Sequence, residues 1–252
     1  MRVGIVCPYA WDTPGGVSAH VHDLANALMR MGHDVSVLAP AESEDELPPF
    51  VVSTGRPRAV RYNGSVARLA FGPVSAFRVS RWVQAGRFDV LHLHEPLAPS
   101  LSVLACWAAR GPIVATFHMS MRRSRMLLSL NRLAITAVEK VSARIAVSEA
   151  ARNTVVRHIG GDAVIIPNGV DTTTFQNAHP RSDWVGEGPT LVFLGRLNEP
   201  RKGLHVLLAA LPAILIEHPD LRLLVAGPGE QERVDVPDGL AGCVRFLGRL
   251  TD

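Results

Sequence analysis

Apolar residues recur along the chain in two alternating patterns. Short runs at Arg2–Cys7, Val35–Ala39, Asp89–Leu93, Ile113–Phe117, Ala143–Val147 and Ala163–Ile166 are apolar at nearly consecutive positions. Such runs predict parallel strands covered on both faces. Between them, apolar residues fall three and four apart. Val17, Val21, Leu24, Leu28 and Met31 keep that spacing, and Gly32 follows. The spacing predicts a helix from about Val17, with others over Val74–Val83, Pro99–Ala109 and Arg123–Val141. A further helix starts after Ser148, a good N-cap, and ends near Gly160. Val51–Val66 predicts short strands with turns at Gly55 and Asn63-Gly64, and Glu42–Glu46 predicts a solvated loop. Strand and helix alternate up to Ile166, which is the pattern of a doubly wound parallel sheet.

The pattern breaks at residues 171–189, where Thr172-Thr173-Thr174, His179-Pro180, Gly186, Gly188 and Pro189 predict a linker. It resumes with a strand at Thr190–Leu194, a glycine-containing loop, a helix from Lys202 and strands at Leu221–Ala226 and Val244–Leu247. The expected organisation is therefore a first α/β domain over 1–170, a linker over 171–189 and a second α/β domain over 190–252. Strand starts at Val3 and Val35 are spaced almost as those at Thr190 and Leu221. Two similar domains of this kind place two βα loops opposite each other across a cleft. Three strands and one helix do not close a doubly wound sheet, so the chain is expected to stop within its second domain.

Composition narrows the class. The chain is 47% hydrophobic and 19% charged, as in soluble globular domains. Its apolar N-terminal run is too brief for a signal peptide. The longest apolar stretches, Leu97–Ala109 and Leu204–Ile216, are interrupted by Pro99 and Pro212 and fall short of a membrane span. Cys7, Cys106 and Cys243 fit neither a zinc spacing nor a disulfide framework, which points to a reducing compartment. Charge changes the picture more. Residues 56–132 hold twelve arginines, no lysine, and only Asp89 and Glu95 as acids, on a chain of net charge +3. A basic region of that kind on a nearly neutral protein predicts an anionic partner, nucleic acid or an acidic membrane surface.

Candidate chemistry concentrates in Leu191–Gly203. An apolar, buried strand is predicted to end at Gly195, and Arg196, Arg201 and Lys202 follow before a helix. Free N–H groups at a helix start and fixed cations both favour an anion, here one with several charges such as a diphosphate. His92 and His94 share one strand face without an evident third ligand, so they read as buried strand histidines rather than a metal site. No Asp-x-Asp pair and no serine or cysteine triad motif is present.

Taken together, these stretches resemble the retaining GT-B glycosyltransferases of family 4, in the branch that includes the phosphatidylinositol mannosyltransferases. The resemblance rests on Val6-Cys7-Pro8-Tyr9 with Pro14-Gly15-Gly16-Val17, on Tyr62–Arg68, and on His92-Leu93-His94-Glu95-Pro96. It continues through Thr116-Phe117-His118, Ile145–Ser148, Pro167-Asn168-Gly169-Val170-Asp171, Leu194-Gly195-Arg196 and Glu199–Gly203. It covers essentially the whole chain. Two Rossmann-like domains facing a cleft are implied, the second incomplete.

The resemblance also implies site residues. Gly16 lets a helix N-terminus approach the donor diphosphate, and Arg196 and Lys202 neutralise it as it leaves. Arg201 and the turn Leu250-Thr251-Asp252 contribute to the donor site, and His118 lies beside the transferred sugar. Tyr9, Ser18, Tyr62, Asn63 and Arg68 map to the acceptor headgroup site, with Ser18 standing where the family carries glutamine. Phe77, Arg78, Arg81, Trp82 and Arg87 resemble a membrane-docking helix, and Met121–Leu128 adds basic residues, with Arg123 at a lysine position. The basic region is thereby assigned to an anionic phospholipid membrane, since no nucleic-acid-binding motif accompanies it. The implied activity is mannose transfer from GDP-mannose to phosphatidylinositol with retention, using no cofactor and no metal. A monomer, peripheral on the cytoplasmic face of the plasma membrane, is expected. Two rivals remain at this point: transfer from a UDP-sugar to a soluble acceptor, and an inactive lipid- or nucleotide-binding fragment. The family's Glu-x7-Glu motif is expected beyond Asp252.

Overall fold

Val3, Ile5 and Val6 are all buried, so the first strand, β1 (Arg2–Val6), must run through the middle of a sheet rather than along an edge. A computed structural model describes residues 1–62, 65–120, 138–177, 179 and 181–250, and shows how the chain surrounds that strand. Its elements after β1 are α1 (Gly16–Arg30), β2 (Asp34–Ala39), β3 (Val51–Ser53), β4 (Arg58–Tyr62), β5 (Ser65–Leu69), α2 (Pro73–Gly86), β6 (Val90–His94) and α3 (Leu101–Ala108). There follow β7 (Ile113–Phe117), β8 (Ala143–Ala146), α4 (Glu149–His158), β9 (Val164–Ile165), α5 (Thr173–Gln176), β10 (Thr190–Leu194), α6 (Leu204–Glu217), β11 (Arg222–Ala226) and β12 (Val244–Gly248). The expected helix over Arg123–Val141 and the turn at Asn63-Gly64 lie largely or wholly outside the described residues.

The chain divides into two compact units, Met1–Asp171 and Thr172–Asp252. In the first, the described strands form a parallel sheet in the order β3-β2-β1-β6-β7-β8-β9. Helix α1 follows an extended Gly15 and buries Val21 and Ala25 against the β1–β2–β3 side. Helices α2 and α3 pack with Leu91, Leu93 and Ile113 in a second cluster. Ser148 caps α4, its hydroxyl accepting from the Ala151 amide at 3.2 Å, as its sequence position predicts. The antiparallel pair β4–β5 stands apart from the main sheet and is tied to it through a bridge between Tyr9 and Leu69.

The second unit has a parallel sheet in the order β10-β11-β12. Helix α6 lays Leu204, Leu208 and Leu211, spaced four and three, against Phe193, Leu223 and Val225. Each such side chain contributes roughly 1.5–3 kcal/mol by leaving water. Before β10, Trp184 receives a hydrogen bond from Arg222 through its carbonyl at 3.1 Å, and the Asp183 carbonyl one from Arg245 at 3.0 Å.

Three expectations are corrected. Strand β10 is not buried along its whole length among the described residues: Phe193 is buried, while Leu194 is 73% exposed and Val192 is exposed too. The helix expected from Lys202 starts at Leu204, because Pro200–Lys202 form a 3-10 turn and Gly203 is left-handed at φ 80°. Pro212 does not interrupt that apolar stretch but sits inside α6. The loop Glu42–Glu46 is exposed as expected, and within it the Glu42 carboxylate pairs with Arg68.

Candidate functional site

In the first unit the strand order turns back on either side of β1, with β2 on one flank and β6 on the other. Ligands of doubly wound sheets bind at the carboxyl ends of strands flanking such a switch point. Four side chains meet there. His20 comes from α1, His92 and His94 from β6, and His118 directly follows β7. The His92 and His94 rings stack at 4.5 Å, and those of His94 and His118 at 5.2 Å. His20 stands edge-on to His94 and His118 at 5.6 and 5.5 Å. Nδ1 of His94 lies 2.9 Å from Nε2 of His118, and Nε2 of His92 lies 2.7 Å from the Thr116 hydroxyl.

Burial and mutual repulsion keep these rings neutral. His92 is pushed down to about 4 and His118 to about 3, while His94 falls well below its ordinary value and His20 is lowered by burial against an opposing effect of Asp23. Glu95, fully enclosed beside them, goes the other way. Burial raises its carboxyl to about 8, opposed by the backbone amides of His118 and Met119. At neutral pH the cluster therefore offers uncharged imidazoles and a protonated carboxyl, groups suited to hydrogen-bonding sugar hydroxyls rather than to neutralising phosphate. Among the described residues, no group of three or more His, Cys, Asp or Glu side chains is arranged to hold a metal ion. His118 was predicted; His20 and Glu95 were not singled out. The signal for Glu95 was its place between His94 and Pro96 at the end of an apolar strand, where an acid is out of character.

The predicted acceptor residues come partly together. The Ala10 amide donates to the Arg68 carbonyl at 3.0 Å, which brings the Tyr9 loop alongside β5. Ser18 is buried in the first turns of α1 beside the Cys7 thiol, and burial pushes that thiol up to about 11. Arg68 is engaged by Glu42. Asn63 and the Tyr62 side chain lie outside the described residues, as do Arg123, Thr251 and Asp252. Leu250 is exposed. Gly16 opens α1, and a Cβ built there meets nothing within 4 Å, so the helix start is open to a ligand.

In the second unit the cationic loop is braced by backbone. The amides of Gly195 and Leu197 donate to the carbonyls of Ala226 and Pro228, each at 3.0 Å. The Asn198 side chain brackets Glu230, accepting from its amide at 2.7 Å and donating to its carbonyl at 3.1 Å. The predicted cations are not all free for a ligand. Glu199, buried, accepts from Arg201 Nε at 3.0 Å and Nη2 at 2.5 Å, and its other oxygen lies 3.8 Å from Arg196 Nη1. Lys202 is exposed at the end of its 3-10 turn. Glu199 was overlooked in the sequence because an acid amid cations looked like one more surface charge. It thus engages Arg201 by two hydrogen bonds and reaches Arg196 as well.

Gly227 is what lets the two loops touch. It adopts φ 137°, and a Cβ there would sit 1.9 Å from the Gly195 carbonyl oxygen. Gly227→Ala is expected to destabilise this unit by about 2–3 kcal/mol, through left-handed strain and a backbone clash that no side-chain motion relieves. Hydrogen exchange at the Gly195 and Leu197 amides checks this; protection equal to wild type would show that the bracing lies elsewhere.

The basic helix α2 is corrected in one respect. Trp82 does not face a membrane: it is buried, packs tilted against Phe88 with ring centres 4.4 Å apart, and donates Nε1–H to the Ser36 hydroxyl at 3.0 Å. Phe77, 69% exposed, lies on the outer side with Phe71, Val74, Arg78 and Arg81, which are all exposed too. Among the described residues no helix is long and apolar enough to cross a membrane.

Comparison with known proteins places the chain among glycosyltransferases. Residues 14–174 match Glycosyltransferase Family 4, and residues 188–252 match Glycosyl transferases group 1. The chain is 51% identical over its whole length to the phosphatidyl-myo-inositol mannosyltransferase of Mycolicibacterium smegmatis, covering 66% of that protein. It is 41% identical to the protein of the same name from Propionibacterium freudenreichii, again over all of this chain and 66% of the relative. The chain thus spans about two thirds of the length of the curated relatives it matches. The crystal structure of Anabaena HepE in complex with UDP superposes with a TM-score of 0.66 at 18% identity, over 100% of this chain and 70% of that one. That likeness places the fold among the GT-B glycosyltransferases.

Proposed function

The chain belongs to glycosyltransferase family 4, and on that premise we propose that it transfers mannose from GDP-mannose to an inositol hydroxyl of phosphatidylinositol, with retention of configuration. The observation that carries this is the 41–51% identity, across the entire chain, to enzymes named for that lipid and that sugar. The residues present suit the assignment. Arg196 and Lys202 stabilise the diphosphate as negative charge develops on the leaving oxygen, a bidentate guanidinium and a compact ammonium acting on one group. The open start of α1 at Gly16 offers backbone N–H groups to the same class of anion. His118, neutral, hydrogen-bonds a hydroxyl of the transferred hexose. The departing phosphate oxygen takes the proton of the attacking inositol hydroxyl on the same face of the sugar. Tyr9, Ser18 and Arg68 supply the headgroup contacts, with Arg68 passing from Glu42 to the lipid phosphate.

The exposed apolar residues Phe71, Val74 and Phe77 next to Arg78 and Arg81 support peripheral docking on an anionic bilayer. Vesicle flotation tests the lipid side directly. The protein is expected to float with vesicles containing phosphatidylinositol, less so as salt rises, and Phe77→Asp combined with Arg81→Glu is expected to lower the bound fraction about tenfold. No flotation with phosphatidylinositol vesicles would point instead to a soluble acceptor.

A further inference from the structure

The pair formed by His94 and His118 has a property that neither ring has alone. A hydrogen bond between two neutral imidazoles needs one N–H and one bare nitrogen. The contact here joins Nδ1 of His94 to Nε2 of His118 at 2.9 Å. If His94 donates, its proton is on Nδ1, and His118, accepting at Nε2, carries its own proton on Nδ1. If His118 donates, its proton is on Nε2, and His94, accepting at Nδ1, carries its proton on Nε2. Either way both rings hold the same tautomer. The free nitrogen of His118, Nδ1, is buried and has no hydrogen-bond partner among the described residues, and the same holds for Nε2 of His94. Whichever character Nδ1 of His118 has, donor or acceptor, is therefore coupled to the tautomer of His94.

The surroundings fix this pair from the β6 side. His94 is fully buried, and its carbonyl accepts the Ser102 hydroxyl from the first turns of α3 at 2.5 Å. Its ring is stacked on His92, itself held by Thr116. Glu95 follows in a left-handed conformation, φ 53°, that non-glycine residues rarely adopt. The strain has a visible return. Its amide still donates to the Thr116 carbonyl at 2.8 Å, while its carboxyl turns under the next strand end and accepts the His118 amide at 3.2 Å. Backbone strain of this kind collects where a site needs one geometry held.

We propose that His94 and Glu95 are positioning residues for His118: Glu95 fixes its backbone, and His94 fixes its ring and ties the proton position of His118 to its own. This rests on the placement of His118 beside a sugar hydroxyl, as proposed above. The consequence is a coupled hydrogen-bond character. His118 cannot reverse its polarity toward a substrate hydroxyl unless His94 reverses with it.

Imidazole ¹⁵N NMR at pH 7 tests the lock without any assay of transfer. The wild-type protein is expected to show His94 and His118 in the same tautomer, both protonated on Nδ1 or both on Nε2. Different tautomers in the two rings overturn the proposal, and this measurement stands even where a variant fails to fold. In His94→Phe, His118 is expected to average between tautomers and kcat to fall about 10²-fold with little change in KM for the donor. His94→Asn, which returns a polar group near the Nδ1 position, is expected to recover most of that loss. Glu95→Ala is expected to lose hydrogen-exchange protection at the His118 amide, and Glu95→Gln to keep it. A His94→Phe protein in which His118 retains one tautomer and full kcat overturns the role of His94; unchanged His118 protection in Glu95→Ala overturns that of Glu95. If wild-type protein transfers no mannose at all, the mannosyltransferase assignment fails, while the tautomer and exchange measurements still decide the positioning.

Discussion

Changing Arg196 and Lys202 together to alanine is expected to lower kcat/KM for mannosyl transfer by about 10²–10⁴-fold. In the proposed donor site each cation makes a charge-assisted hydrogen bond to the diphosphate, of a kind that contributes roughly 1.5–3 kcal/mol, and tenfold in rate corresponds to about 1.4 kcal/mol. The loss is expected without unfolding. Neither side chain belongs to the apolar cluster of its unit, and the loop between them is braced by the backbone bonds of Gly195 and Leu197 and by the Asn198 bracket on Glu230. Arg201 does not compensate, because Glu199 holds its guanidinium by two hydrogen bonds. Initial rates at saturating and limiting GDP-mannose, with circular dichroism as the check on folding, give the result. Transfer within threefold of wild type would remove the donor assignment from this loop.

The second large effect is a pH dependence of stability centred on Glu95. Its carboxyl titrates at about 8 in the folded chain against 4.5 ordinarily, because burial disfavours the charged form. The folded state thus holds a proton that the unfolded state gives up above pH 4.5. Its stabilising contribution is fully present below pH 4.5 and is lost as pH rises through about 8. At pH 7 the loss amounts to roughly 3 kcal/mol. Glu95→Gln removes this dependence, since the amide never ionises. It is expected to match wild type near pH 4.5 and to exceed it by roughly 3 kcal/mol at pH 7 to 8, measured by urea denaturation followed at the β6 and β7 amides. The histidines act from the other side. His92 and His118 stay neutral down to about 4 and 3, so the stability they allow is present above pH 6.5 and is lost as pH falls through those values. Glu95→Gln is therefore expected to show the steeper acid limb alone. A variant whose stability runs parallel to wild type from pH 5 to 8 would mean that Glu95 is ionised in the folded chain.

Much of the first unit was legible because its strands leave little choice. Val3, Ile5 and Val6 are apolar without alternation, which only a sheet covered on both faces tolerates, and Ile113–Phe117 matches its predicted bounds. Trp82 was misplaced for an instructive reason. Ser75, Val79 and Trp82 are spaced four and three on α2 and form its inward face. That spacing was in the sequence, but the arginines at 78 and 81 drew attention to composition over period. The contrast in β10 between buried Phe193 and exposed Val192 and Leu194 could not be read, since every position of Leu191–Leu194 is apolar. Glu95 and His20 stayed hidden because their meaning is spatial. A left-handed residue whose carboxyl reaches across to the His118 amide, and a ring on α1 that meets β6 and β7, leave no periodic trace. The tautomer lock likewise depends on a 2.9 Å approach between residues 24 positions apart.

The central claim, mannosyl transfer to phosphatidylinositol with retention, is tested most directly by the product itself. The protein is incubated with GDP-mannose and vesicles containing phosphatidylinositol, and the extracted lipid is analysed by mass spectrometry and by NMR at the anomeric position. A lipid carrying one added hexose in α linkage to the inositol is the predicted result. A β linkage, or a product formed only from a UDP-sugar on a soluble acceptor, would contradict it.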